Sequence, residues 1–279
     1  MPEIAEIRLM SEHLNMDLKG KICEGIRINS QNRHFKEKKL FSSDFSLKQL
    51  GDLDELGFQV KRKCEKIESK GKKIIFDFGD ILMIVSCGME GHFCYEIGNN
   101  SGLMIQFEDI FVFFDDSRHM GLFSVVNKNS LAHNNVMKDV GPDWFEESTD
   151  YNLFKSIITN TRLKKTRICE FLMQQNRLSG IGNYLRADIL YSAKISPHRG
   201  LQSLGEFDLQ NLFYWAKTII YESYSKQACT IKSYTDPHGN TGNYVPKCYG
   251  RSTDEFGNQV LKFSDKQNRT VHWVPNVQI

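Results

Sequence analysis

From Glu6 to Leu18 the apolar residues Ile7, Met10, Leu14 and Leu18 recur at helical spacing, and Gly20 supplies a stop, which predicts a buried helix near the start of the chain. Between Lys21 and Val126 the pattern shortens to apolar or alternating runs: Ile22 to Ile28, Gln59 to Ile67, Ile74 to Phe78, Ile81 to Val85, Leu103 to Phe107 and Ile110 to Phe114. Gly, Asn and Asp punctuate them, as in an antiparallel sandwich or barrel. Residues 127 to 148, with Asn127, Asn129, Asn134, Asn135, Gly141 and Pro142, read as a linker. Helical spacing then returns at Leu153, Ile157 and Ile158; at Ile168, Leu172 and Met173; over Tyr184 to Ala193; and along Leu209, Leu212, Phe213, Ala216, Ile219 and Ile220. Val260 to Phe263 and Thr270 to Trp273, around residues 265 to 268, predict a hairpin. The expected fold class is α+β and multidomain. A β-sandwich headed by a helix spans 1–130, a linker 131–149, a helical domain 150–249 and a finger 250–279.

At 279 residues and 40% hydrophobic content the chain can bury two ordinary cores. No apolar run reaches membrane-spanning length and no signal-peptide layout opens the chain, so a soluble, intracellular protein is expected. Its seven cysteines are odd in number and scattered with no Cys-x-x-Cys pair, which argues for reduced thiols and against a disulfide framework or a zinc site. A net charge of only +2 means that any affinity for nucleic acid comes from local patches. Two qualify: Lys61, Arg62, Lys63, Lys66, Lys70, Lys72 and Lys73, and then Arg162, Lys164, Lys165 and Arg167. A basic run by itself is more often a solvated face.

The chemistry concentrates in the opening residues, Met1-Pro2-Glu3-Ile4-Ala5-Glu6. Removal of Met1 leaves Pro2 as a terminal secondary amine, and an α-amino group titrates near pH about 8, so a neutral nucleophilic fraction exists at neutral pH. Glu3 stands beside it as a proton shuttle, and Glu6 lies one helical turn further on. The plainer alternative is a proline in the first turn of a helix followed by acids that suit its positive end. Gly180-Ile181-Gly182-Asn183 permits a tight turn before a helix, with Asn183 suited to cap it and N–H groups suited to phosphate. Residues 228 to 245 form a long polar loop of the kind that binds ligands.

Four features in order, Pro2-Glu3, Lys70-Gly71-Lys72, Gly180-Ile181-Gly182-Asn183 and a terminal hairpin with Arg269, resemble the formamidopyrimidine-DNA glycosylase and endonuclease VIII family along the whole chain. The stretch Arg167-Ile168-Cys169-Glu170 through Leu190 is similar to its endonuclease VIII-like branch. The resemblance implies a helix-two-turn-helix in the helical domain and a bifunctional glycosylase and AP lyase. Pro2 would attack C1′ of a damaged nucleotide, Glu3 would open the sugar, and Lys72 would hold a nearby phosphate. β,δ-Elimination would then cut the strand. Because the target base must leave the stack, Met89 would fill the hole, Arg118 would engage the orphaned base and Met120, where relatives have an aromatic wedge, would intercalate. Asn183 and Arg269 would contact phosphates, while Glu6 and the loop over Ala228 to Tyr244 would recognise the lesion.

Departures from the family pattern are Ile4-Ala5, Gln174 in Leu172-Met173-Gln174-Gln175, and the finger. There the four zinc-ligand positions hold Thr253, Phe256, Val274 and Val277, none of them a soft ligand. A zincless finger is therefore expected, held by contact among Phe256, Val274 and Val277, with no cofactor and no metal. The expected partner is damaged DNA, duplex, single-stranded or bubble, bound by a monomer in a nucleus or at a viral replication site. Oxidised pyrimidines and hydantoins are the expected lesions. Oxidised purines are the alternative within the family; a damaged-DNA binding protein without catalysis and an RNA-binding protein are the rivals outside it.

Overall fold

The computed structural model describes residues 1–28, 48–49, 56–230 and 234–279, which fall into two compact units. Helix α1 (Ile4–Leu18), which belongs to the first unit from Glu6 onward, leads into β1 (Ile22–Ile28) of that unit. It is followed by β2 (Lys48–Gln49), β3 (Leu56–Lys63), β4 (Lys66–Lys70), β5 (Lys73–Asp77), β6 (Ile81–Ser86), β7 (His92–Cys94), β8 (Ser101–Phe107), β9 (Phe111–Asp115) and β10 (Leu122–Asn127). The strands form two antiparallel sheets, in the orders β2-β3-β1-β8-β9-β7 and β10-β6-β5-β4. Phenylalanines bind the two layers together: Phe76 and Phe93 meet at 5.3 Å, Phe93 and Phe114 at 5.1 Å, and Phe114 and Phe123 at 4.8 Å, all edge to face.

The run expected from Gln59 to Ile67 is broken at Cys64 and Glu65. There the chain leaves one sheet for the other, and the Cys64 N–H and C=O are taken by Lys21 and Gly20, just past the end of α1. The 131–149 stretch, expected as a linker, holds a helix, α2 (Leu131–Met137), capped by Ser130. Ala132, Val136 and Met137 lie against Ile75, Leu82, Ile84 and Val126, an apolar periodicity that the intervening asparagines disguise. The units divide between Asp139 and Val140, and the described residues 234–242 belong to the first.

The second unit contains α3 (Tyr151–Ile158), the short α4 (Ile168–Phe171), α5 (Asn183–Ser192), α6 (Glu206–Ser225) and a hairpin of β11 (Leu261–Ser264) with β12 (Thr270–Trp273). Trp144 is fully buried between Phe154 and Phe213. In the finger Val274 and Val260 pack with Tyr191 and Cys248, and Val277 adds to them. Phe256 is 76% exposed and does not join, contrary to the packing expected of it. Its neighbour Asp254 organises that turn instead. One carboxylate oxygen accepts from the N–H groups of Phe256 and Asn258, and the other from the Asn258 amide and the Tyr191 hydroxyl.

Candidate active site

Pro2, Glu3 and Glu6 are all buried. In the second unit, Glu3 Oε2 accepts from the Gly182 N–H at 2.5 Å and the Leu185 N–H at 3.3 Å, while Oε1 accepts from Tyr184 at 2.9 Å. Gly182 is the N-cap of α5 and offers no side chain. The Glu3 carboxylate therefore supplies the cap, an anion at the positive end of a helix. This corrects the expectation for Asn183, which is the first residue of the helix, and it fills the N–H groups expected to face phosphate. A Cβ on Gly182 would stand 2.4 Å from the Glu3 carboxyl carbon, so glycine is what lets the carboxylate in. Ile4 N–H donates to the Gly180 carbonyl at 3.0 Å, and Gln175 closes the turn by accepting from Gly180 N–H and donating to the Ile181 carbonyl. Gln175, rather than Gln174, is the side chain that shapes this turn.

Asn183 and Arg269 converge on one residue that the sequence reading passed over. Arg186 is fully buried and donates to Asn183 Oδ1 at 3.0 Å, to Asp265 Oδ2 at 2.7 Å and to the Thr270 carbonyl at 3.1 Å. Asp265 in turn accepts the Arg269 and Gln267 N–H groups, each at 2.9 Å, and so fixes the turn that carries Arg269. The available signal was an arginine one helical turn beyond Asn183 and an aspartate four residues before Arg269.

In the first unit, Lys72 follows Gly71 in the two-residue turn between β4 and β5, where Lys70 faces Lys73. Gly71 takes a φ of +58°, as the first central position of a primed hairpin turn requires. Met89 stands in the Cys87 to Gly91 turn, half-buried. Gly88 backs onto Met120 so closely that a Cβ would lie 2.8 Å from its backbone, which brings the Met89 turn and the 116–121 turn together. Met120 is 48% exposed. Arg118 pairs with Glu90 at 2.9 Å, and Ser117 donates to the same carboxylate. The Ser117 hydroxyl first, then Arg118 and the N-terminal amine, hold Glu90 below the usual carboxylate range, over the opposing effect of burial. Of the 228–245 loop, residues 231–233 lie outside the described residues. Tyr234 beyond them is buried, and burial, then the charges of Glu6 and Asp236, push its hydroxyl well above the usual range. The structure thus groups Pro2, Glu6, Lys72, Met89, Arg118 and Met120 in one unit, and Glu3, Asn183 and Arg269 in the other.

The sequence profile of the formamidopyrimidine-DNA glycosylase N-terminal domain matches residues 1–123, and that of the formamidopyrimidine-DNA glycosylase H2TH domain matches residues 140–235. The formamidopyrimidine-DNA glycosylase of Listeria monocytogenes is 28% identical over 233 residues, covering 78% of this chain and 83% of the relative. Among solved structures, the MutM (Fpg) protein of Thermus thermophilus superposes with a TM-score of 0.82 at 20% identity over 99% of this chain and 98% of the other. The Lactococcus lactis Fpg bound to DNA containing an abasic site gives 0.79 at 20% identity over 99% of both. A β-sandwich joined to an H2TH domain, with these matches, defines a DNA glycosylase with AP lyase activity. The chain belongs to the formamidopyrimidine-DNA glycosylase family. No helix among the described residues is long and apolar enough to cross a membrane.

Proposed function

We propose that this enzyme of base excision repair removes oxidised purines of the formamidopyrimidine type and then cuts the strand by β,δ-elimination. The observation that carries the chemistry is the Glu3 carboxylate, held by three N–H groups directly after Pro2 in the chain. A proton shuttle has to be fixed beside the amine it serves. With Met1 removed, Pro2 attacks C1′ of the damaged nucleotide, the C1′–N bond breaks with protonation of the departing base, and Glu3 moves the proton that opens the sugar. The resulting iminium acidifies the C2′ proton, which allows elimination of the 3′ and then the 5′ phosphate. Lys72, Asn183 and Arg269 hold phosphates. Met89, Arg118 and Met120 occupy the space of the flipped nucleotide, and Arg118 exchanges Glu90 for the orphaned base.

The choice of lesion follows the name of the curated relatives, formamidopyrimidine-DNA glycosylase. It moves support from oxidised pyrimidines and hydantoins, the lesions of the endonuclease VIII-like branch, to the alternative. The finger is proposed to be zincless, since Asp254 carries out the organising task in its first turn. Acting on DNA, the enzyme works where DNA is repaired, with a nucleus or a viral replication site as the compartment implied by the resemblance.

The test is borohydride trapping of the untagged chain on a duplex with an abasic site, followed by a panel of single-lesion duplexes. A covalent adduct on the Pro2 peptide, absent in Pro2→Gly and in an N-terminally extended chain, is expected, with formamidopyrimidine released faster than thymine glycol. No adduct with duplex binding intact would leave a binding protein, and faster release of thymine glycol would return the lesion to the pyrimidine class.

A further inference from the structure

The same turn occurs three times among the described residues. Asp254 and Asp236 each open an Asp-x-x-Gly-Asn sequence, and Asp265 opens Asp-Lys-Gln-Asn-Arg. In every copy the aspartate N–H donates to the carbonyl four residues on at 2.9 Å, and Oδ1 accepts the N–H groups two and four residues on. The fourth residue, Gly239, Gly257 or Asn268, has a positive φ of 86°, 84° or 57°. Two copies are pinned at Oδ2 by α5, through the Tyr191 hydroxyl at 3.0 Å and Arg186 at 2.7 Å. The third lies in the 234–242 segment, and the side chain that faces its Oδ2 from outside the turn is His13 of α1, with Nδ1 at 3.6 Å and no hydrogen bond made.

A second contact joins the same two pieces of chain. Asp17, one turn beyond His13, accepts from the Tyr95 hydroxyl at 2.5 Å and lies 3.1 Å from His238 Nε2. The His238 ring is 5.2 Å from Tyr95 and 6.0 Å from His13. The charge of Glu6 acts on the buried Tyr234 hydroxyl at the head of the segment, and Asp109, paired with Lys21, shares the hollow beside Asp17 and His238. Because the turn is closed by its own aspartate, it keeps its shape without α1, and these contacts fix only its position. His238 is half-exposed, so the attachment can be remade rather than being locked in a core.

We infer that His13, Asp17 and Tyr95 form a clasp that positions the Asp236 turn, and with it the described 234–242 segment, for excision of the damaged base. The inference rests on the glycosylase reading and names His13, Asp17 and His238 as positioning residues. A segment registered on the helix that carries Glu6 matters while a base is present. Cleavage at an abasic site has no base to hold.

Two readouts on the full-length chain test it. Excision from a formamidopyrimidine duplex is compared with cleavage of the same duplex carrying an abasic site, and hydrogen exchange is followed at residues 234–242. His238→Phe and Asp17→Ala are expected to slow excision about ten-fold, the scale of one charge-assisted hydrogen bond, while abasic cleavage stays within about two-fold. The double variant should be no worse than Asp17→Ala alone, because the His238–Asp17 contact is already lost there. His238→Gln, whose amide can still donate to Asp17, should restore excision and normal exchange. Unchanged excision in every variant, a parallel fall in both activities, or failure of His238→Gln to rescue would each overturn the clasp. A wild-type chain that cleaves neither substrate overturns the glycosylase reading itself. The exchange comparison between His238→Phe and His238→Gln then decides the clasp alone.

Discussion

Arg186 Nη1 and Asp265 Oδ2 meet at 2.7 Å with both side chains out of solvent. Burial alone would raise the Asp265 carboxyl; the guanidinium and the N–H groups of Arg269 and Gln267 override it and hold the group below the usual range. Arg186→Leu leaves a buried carboxylate unpaired and is expected to cost about 3 to 5 kcal/mol in urea unfolding. It also frees Asn183 and the Arg269 turn, so duplex affinity should fall with stability. Arg186→Lys should recover little, since a point charge cannot reach Asn183, Asp265 and the Thr270 carbonyl from one planar fork. A lysine variant with wild-type stability would show that the fork is dispensable.

Gly182→Ala tests the seating of Glu3. With φ of −128° the backbone there accepts any residue, so the substitution acts only through the methyl group, which meets the Glu3 carboxyl at 2.4 Å. A displacement near 1 Å at a reacting group costs on the order of 100-fold in rate. Excision and borohydride trapping should therefore fall by about that factor while the duplex is still bound. Gly79→Ala, which meets open space, is the control for a glycine at positive φ, where the cost is strain alone.

Much of this was legible in the chain. β1 runs over the same residues, Ile22–Ile28, that alternation marks, because a strand with one face buried writes its period into the sequence. Pro2-Glu3 and the 180–183 turn were readable because their residue types are unusual at those spacings. Arg186 and Asp265 were not, since a buried arginine reads like any helical arginine until its partners, 79 residues apart for the ion pair, are brought together. The cap on α5 was assigned to Asn183 because local chemistry favours a neighbour, whereas the carboxylate that fills it comes from 181 residues away at Tyr184. α2 was missed because its asparagines occupy the solvent side of a helix whose apolar side is only three residues wide.

The finger gives a prediction about metals. The Asp254 carboxylate receives three donors from its own turn and one from Tyr191, all between 2.8 and 3.0 Å. Prolonged treatment with a chelator should leave melting temperature and abasic-site cleavage unchanged, since Thr253, Phe256, Val274 and Val277 offer zinc nothing. Asp254→Ala, which orphans those donors, should lower stability by roughly 1 to 3 kcal/mol and weaken duplex binding. Loss of activity on chelation, reversed by zinc, would overturn the zincless reading.

The hairpin should also carry an acid sensitivity. His272 of β12 is buried, its Nδ1 has no hydrogen-bond partner, and its ring packs edge to face on Tyr249 at 4.8 Å. Burial first, then the positive charges of Lys262 and Arg186, push the imidazole down to about 4. A base lowered by folding is neutral in both states above its ordinary value near 6.5, so the stability it allows is fully present there. As pH falls below that value the unfolded chain takes up a proton that the folded chain refuses, and stability drains away until the folded group also titrates near 4. Melting of the wild-type chain should therefore drop between neutrality and pH about 5. His272→Phe keeps an aromatic ring against Tyr249 and has nothing to protonate, so the drop should be smaller by the share that His272 contributes. Equal acid loss in both chains would assign the sensitivity to carboxylates elsewhere and remove His272 from the account.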